Sequence, residues 1–349
     1  MKIAQIAPLY ESVPPKFYGG TERVVSYLTE ELVRLGHDVT LFASGDSVTS
    51  ANLVKCSERS LRLDPKCKDK LAYHMMMLDK VFSEADEFDI FHFHIDYLHF
   101  PLSRRANIKR VSTLHGRLDL PDLVPLYKQF SNEPLVSISN SQRTPLAWAN
   151  WQRTIYHGLP TELYPFHEKP QPYLTFLGRI SPEKGLDQAI EIAKKSNMAL
   201  RIAAKVDEVD IDYFIRSAQP IMNDPMIEFI GEIGEKDKAE FLGNATALIF
   251  PIAWPEPFGL VMIEAMSCGT PVIAYRNGSV PEIIKNGVNG YIVDNQEQAV
   301  ATVEKIIELD RKRCRDDFVE RFSVERMASD YVELYEHILE NDQRYAYAG

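Results

Sequence analysis

The chain has 349 residues, 45% of them hydrophobic and 26% charged, and a net charge of −11. That length suffices for two domains of ordinary size, while the acidic balance disfavours nucleic acid as a partner and gives no general pull toward an anionic membrane. No run of eighteen apolar residues occurs, so no spanning helix is expected. The four cysteines, Cys56, Cys67, Cys268 and Cys314, show neither metal-ligand spacing nor a secreted framework, which suits a reducing cytoplasm.

The N-terminus is too short and too alternating for a signal peptide and reads as a first strand over 2–7. A Pro/Gly loop follows, with Gly19 and Gly20 beside Tyr18 at the start of a helix predicted over 21–35. Two glycines there invite an anion or a sugar close to the amides, or simply make a tight turn. The loop is not Gly-x-Gly-x-x-Gly, which weakens a dinucleotide reading. Further strands are predicted over 38–43, 90–94, 110–114 and 135–138. In the run 91–97, alternation sets Phe91 and Phe93 on one face and His92 and His94 on the other, with Asp96 and Tyr97 next. Two histidines so spaced permit a metal site but bring no clear third ligand. His115 falls at a strand end; a lone histidine is more often a satisfied structural group than a functional one. Tyr18, His94, Asp96, Tyr97 and Arg143 are read as acceptor contacts. The basic clusters 66–70 and Arg104, Arg105, Lys109 and Arg110 fit a solvated face, an anionic acceptor or a weak lipid contact, so membrane contact is at most peripheral. Around 151–165 the chain turns irregular, and the linker is placed there.

A second series of alternating elements begins at 172: strands over 173–177, 199–205, 227–230, 247–251, 270–275 and 291–293, with helices over 186–195 and 236–242. After its first strand come Gly178, Arg179, Lys184 and Gly185, where a planar cationic fork and a mobile point charge on a loop leading into a helix suit a diphosphate. Asp210-Ile211-Asp212 matches Asp-x-Asp but sits in an acidic segment before a helix, where carboxylates are routine dipole partners. Glu235 follows another strand. Then comes Pro255-Glu256-Pro257-Phe258-Gly259-Leu260-Val261-Met262-Ile263-Glu264. The flanking prolines hold Glu256 in extended geometry, and Gly259 allows close approach as a helix begins. That helix is apolar on every side, so Glu264 is buried and needs a polar partner, either a ligand or an unseen lysine. A final amphipathic helix is predicted over 324–339.

The pattern Glu-x7-Glu within Pro-Glu-Pro-Phe-Gly-Leu-x-x-x-Glu-Ala-Met-x-x-Gly-x-Pro-Val resembles the donor signature of the retaining family 4, or group 1, glycosyltransferases, and the resemblance runs through nearly the whole chain. It implies an α/β protein of GT-B architecture: two Rossmann-like doubly wound domains facing a central cleft. The expected domains are 1–165, binding the acceptor; 166–325, binding the nucleotide sugar; and 326–349, a helix crossing back to the first. The implied activity is metal-independent, front-face transfer of a glucose- or mannose-type hexose from a UDP-, GDP- or ADP-linked donor to a hydroxyl acceptor. The resemblance makes Glu256, Arg179, Lys184 and His115 catalytic. It assigns the donor to Gly19, Gly20, Arg179, Lys184, Glu235, Glu256, Phe258, Gly259, Leu260, Val261 and Glu264, with no metal and no cofactor. A nucleotide-sugar epimerase or sugar phosphorylase on the same fold is the alternative, although no lysine stands out as an anchor for pyridoxal. The chain departs from the family pattern at His157 and Pro160, where Asn-Gly and a nearby Asp are common.

Overall fold

Apolar strand-length runs alternating with helices produce parallel sheets, because each crossover helix returns the chain in the same direction and covers a face. The computed structural model describes residues 1–340, the side chain of Glu208 excepted; residues 341–349, part of the last predicted segment, lie outside the described residues. The chain divides into two compact units, one made of residues 1–158 together with 324 onward, the other of Leu159–Ser323.

The first unit carries β1 (Lys2–Ile6), β2 (Asp38–Ser44), β3 (Asn52–Ser57), β4 (Ile90–Phe93), β5 (Arg110–Thr113), β6 (Leu135–Ser137) and β7 (Trp151–Thr154). They form one sheet in the order β3-β2-β1-β4-β5-β6-β7, every pair parallel. Helix Gly20–Arg34 links β1 to β2 and buries Val24, Val25, Leu28 and Leu32, the stripe a period near 3.6 makes. Helix Val324–Glu340 belongs to this unit, packs on Gly20–Arg34 and buries Met327, Tyr331, Leu334, Tyr335 and Ile338. Strands β3 and β7 lie where no strand is predicted. β7 falls inside the stretch expected to be irregular, and both are partly exposed edges rich in polar residues.

The second unit carries β8 (Tyr173–Arg179), β9 (Ala199–Lys205), β10 (Ile227–Gly231), β11 (Ala247–Phe250), β12 (Val272–Tyr275) and β13 (Gly290–Val293), in the order β10-β9-β8-β11-β12-β13, again all parallel. Its core joins Leu174 and Phe176 of β8 to Leu186, Ala189, Ile190 and Ala193 of helix Leu186–Lys195 and to Ile249 and Ile273. In both sheets the order reverses beside the first strand, between β1 and β4 and between β8 and β11. At such a switch point the loops after the two strands diverge and leave a crevice at their carboxyl ends. Among the described residues no helix is long and apolar enough to cross a membrane.

Candidate functional site

Arg179 ends β8, and Lys184 and Glu256 lie on the two loops that leave the switch point of the second unit; Glu264 sits in the helix Leu260–Ser267 that follows the second loop, and Glu235 opens helix Glu235–Gly243 after edge strand β10. From Arg179, the last residue of β8, the loop runs through a short 3-10 turn, Pro182–Lys184, to Gly185, whose φ of 68° opens helix Leu186–Lys195. A Cβ at Gly185 would meet the carbonyl oxygen of Pro251, and the Ala253 amide donates to Glu183 O at 2.8 Å. These contacts zip the β8 loop to the β11 loop that carries Glu256. A third loop, after β12, grips the same segment. Asn277 Nδ2 donates to Ile252 O at 2.7 Å, the Ser279 amide to Glu256 O at 3.0 Å, and Ser279 Oγ to Phe258 O at 2.7 Å.

Held this way, Glu256 Oε2 accepts from Lys184 Nζ at 2.5 Å and from Trp254 Nε1 at 3.0 Å, and Lys184 also lies over the Trp254 ring. Arg179 is treated differently. Glu183, Asp207 and Asp210 surround it at 3.7, 3.7 and 3.5 Å, none in a tight two-pronged contact. Asp210, half of the Asp-x-Asp pattern, thus faces an arginine. A guanidinium with loose partners keeps donors to offer a phosphate, whereas Lys184 must exchange a close carboxylate. Gly259, at φ 81°, starts helix Leu260–Ser267, where the amides of Leu260 and Val261 belong to the first turn and have no intrahelical acceptor. Phe258 is buried just before it.

Glu264 is buried, at 4% exposure, and the partner its burial requires is Lys238, whose Nζ donates to Oε1 at 2.7 Å. Lys238 also faces Glu235 at 3.7 Å, and Tyr164 OH donates to Glu235. Burial pushes the Glu235 carboxyl up to about 7; Lys238 opposes that rise and Glu264 adds to it. Lys238 and Trp254 are thus site residues that sequence reasoning missed. The i, i+3 spacing of Glu235 and Lys238 on one helix was the available signal.

In the first unit, Gly19 caps helix Gly20–Arg34 with no room for a side chain: a Cβ would meet Pro15 at 2.8 Å. Gly20 is exposed, as is Tyr18 beside it. His115 Nε2 lies 2.9 Å from His94 Nδ1, its ring stacks near His157 at 5.3 Å, and its Nδ1 is shielded from solvent without a hydrogen-bond partner. His94 is buried, with both ring nitrogens engaged, the second on Gln5 Oε1 at 2.8 Å. Its place is behind His115. Asp96, at φ 51°, and Tyr97 are exposed after β4. Arg143 is tied to Thr154 Oγ1 at 3.2 Å and stacked over Trp151.

Family models match both units. Residues 18–177 match glycosyltransferase family 4, and residues 165–321 match glycosyl transferases group 1. The chain belongs to the group 1 glycosyltransferases. Within this family it is 24% identical to an uncharacterised glycosyltransferase of Methanocaldococcus jannaschii, over 97% of this chain and 99% of that one. It is also 24% identical to N-acetyl-alpha-D-glucosaminyl L-malate synthase of Bacillus anthracis, over 93% and 96%. The Anabaena protein HepE, solved in complex with UDP and glucose, superposes with a TM-score of 0.74 at 19% identity, covering 97% of this chain and all of that one. The two doubly wound parallel sheets of this glycosyltransferase are those of the GT-B architecture.

Proposed function

We propose that this glycosyltransferase transfers a hexose, of glucose or mannose type, from a nucleotide-diphosphate sugar to a hydroxyl acceptor with retention of configuration and without a metal. The observation that carries the reading is the gathering of Arg179, Lys184, Glu256 and Glu264 on or just behind the zipped loops of one switch point. Glu264 and Glu235, sharing Lys238, suit the ribose and base end of a nucleotide. The amides of Leu260 and Val261, at a helix start, suit phosphate or sugar oxygens. Glu256 suits the hydroxyls of the sugar, and Arg179 with Lys184 suits the diphosphate. That HepE is solved in complex with UDP and glucose supports a nucleotide sugar as donor.

In this reading the second unit holds the donor, while the first supplies His115, the Gly19–Gly20 loop and the acceptor contacts of Tyr18, Asp96, Tyr97 and Arg143. The bond from the anomeric carbon to the phosphate oxygen breaks as the bond to the acceptor oxygen forms on the same face. The acceptor proton passes to the departing phosphate oxygen. Arg179 and Lys184 take up the charge that develops on the diphosphate, where preorganised cations act most strongly. The free thiols Cys56, Cys67, Cys268 and Cys314 support a reducing, cytoplasmic setting.

The test is a thermal-shift panel of UDP, GDP, ADP and their hexose conjugates, followed by turnover assays with and without excess chelator. Ligand bound to the native state raises Tm by mass action, so one nucleotide family is expected to stand out. Arg179→Ala is expected to abolish turnover while the protein stays folded. If no nucleotide sugar shifts Tm, the donor reading fails; if chelator stops turnover, the metal-free reading fails.

A further inference from the structure

Behind His115 the first unit buries an unbroken chain of polar side chains. Gln5 of β1, His92 of β4, His94 just after it and Thr113 of β5 occupy the sheet face beneath helix Val324–Glu340, while Ile6, Phe91 and Phe93 fill the core on the opposite face. Gln5 is paired in register with His92. Tyr335 OH lies 3.3 Å from Gln5 Nε2 and 2.7 Å from His92 Nδ1. His92 Nε2 lies 2.7 Å from Thr113 Oγ1, and Thr113 Oγ1 lies 2.9 Å from Tyr331 OH. From the other end of Gln5, Oε1 lies 2.8 Å from His94 Nε2, and His94 Nδ1 lies 2.9 Å from His115 Nε2.

The chemistry of the groups gives this chain a direction. An amide oxygen only accepts, so His94 carries its proton on Nε2 and donates it to Gln5. His94 is buried and neutral, because desolvation disfavours the imidazolium, so its Nδ1 is a bare acceptor. Only a proton on His115 Nε2 can satisfy it. In the other direction the Gln5 amide nitrogen donates to Tyr335, whose hydroxyl hydrogen is left for His92 Nδ1. His92 then donates from Nε2 to Thr113, and Thr113 donates to Tyr331. Every member between the two ends, His115 and Tyr331, gives one hydrogen bond and takes one. What remains is His115 Nδ1, an acceptor shielded from water and unmatched within the unit. An orphaned acceptor of this kind is satisfied by a donor that a ligand brings.

We propose that Gln5, His94 and Tyr335 are positioning residues that hold His115 in the Nε2–H tautomer, so that its Nδ1 accepts from a hydroxyl of the sugar and rejects a carboxylate in the same place. The ligand half of this rests on the reading that His115 meets the transferred sugar; the tautomer half does not. Burial holds the His115 imidazole down at about 3, so the neutral ring persists at every working pH.

The experiment uses the full chain with isotope-labelled histidine, two-bond proton–nitrogen correlation spectra, and His115→Gln to assign the His115 signals. The wild-type protein is expected to show His115 protonated on Nε2 alone. In Gln5→Leu, which removes the directing amide, and in Tyr335→Phe, which removes the amide's acceptor and guards against a misfolded first variant, the His115 nitrogens are expected to move toward the averaged shifts of mixed tautomers. Averaging in either variant supports the proposal. A wild-type proton on Nδ1 overturns it, since that means the Gln5 amide is turned over and the whole chain runs backward; unchanged His115 signals in both variants overturn it as well. Addition of the nucleotide sugar that raises Tm is expected to shift the Nδ1 resonance. An unmoved resonance with the tautomer as predicted overturns the sugar contact alone, and leaves donor binding by the second unit standing on its own test.

Discussion

Glu235 is a residue whose charge depends on its surroundings. Its carboxyl is ordinarily half-ionised near 4.5; burial raises this to about 7, although Lys238 stands 3.7 Å away. Between those two values the folded chain keeps a proton that the unfolded chain has released, so stability falls as pH rises through that window. The full shift corresponds to a loss of about 3 kcal/mol by pH 8. Glu235→Gln has no proton to lose. It is expected to match the wild type near pH 5 and to be the more stable protein near pH 8, read from urea midpoints at the two values. Parallel pH profiles would mean that Lys238 keeps Glu235 ionised throughout. The neighbouring Glu264 shows where single-residue inference stops. Its burial and its need for a polar partner are legible from an all-apolar helix, but the partner, Lys238, is 26 positions away on another helix and cannot be located from local pattern. His94 is a similar case: strand alternation gives its face, and only the pairing of β4 with β1 and β5 brings it between Gln5 and His115.

At the level of elements, three loops act together on Glu256, and Gly278 is their tightest point. Its φ is 54°, and a Cβ there would run into the backbone of Pro255 and Glu256. Gly278→Ala therefore combines left-handed strain with a clash against main chain that Ser279 also holds. The expected cost is about 2–4 kcal/mol, with weakened nucleotide-induced stabilisation because Glu256 is displaced. Gly287 supplies the control: its φ is 77° but a side chain there meets open space, so Gly287→Ala costs only about 1 kcal/mol of strain and keeps the ligand response. Calorimetry of both variants with and without the nucleotide that binds separates the two outcomes, and equal ligand responses would remove Gly278 from the site. Central strands such as β1, β4, β8 and β11 are legible because burial on both faces demands mostly apolar runs, broken in β1, β4 and β8 by the buried polar residues Gln5, His92 and Thr175. Edge strands β3 and β7 are not, because one side of an edge faces water and tolerates Asn52, Lys55, Gln152 and Arg153. Helix Arg311–Phe322 escapes notice for a related reason. Nine of its twelve residues are not hydrophobic or are scattered about the wheel, and only Cys314, Phe318 and Phe322, four apart, mark its buried line.

Across the whole molecule, the first unit is assembled from two separated stretches of chain while the second is continuous. Helix Val324–Glu340 does more than cover a face. Tyr331 and Tyr335 close the hydrogen-bonded chain that ends at His115, Met327 Sδ receives the Gly158 amide, and Arg326 donates to the carbonyls of Tyr156 and His157. Without the helix, Gln5, His92 and Thr113 lose buried partners, and the apolar side chains of Gly20–Arg34 lose their cover, a combination of unsatisfied polar groups and lost burial that a domain of marginal stability cannot absorb. A fragment of residues 159–323 is therefore expected to unfold cooperatively on its own, with a transition visible by circular dichroism. Residues 1–158 alone are expected to show none. Joining 324–340 to that fragment through a flexible linker should restore a cooperative transition, since the missing cost is an entropy that rises only slowly with linker length. If residues 1–158 fold without the helix, the helix is an accessory to the first unit.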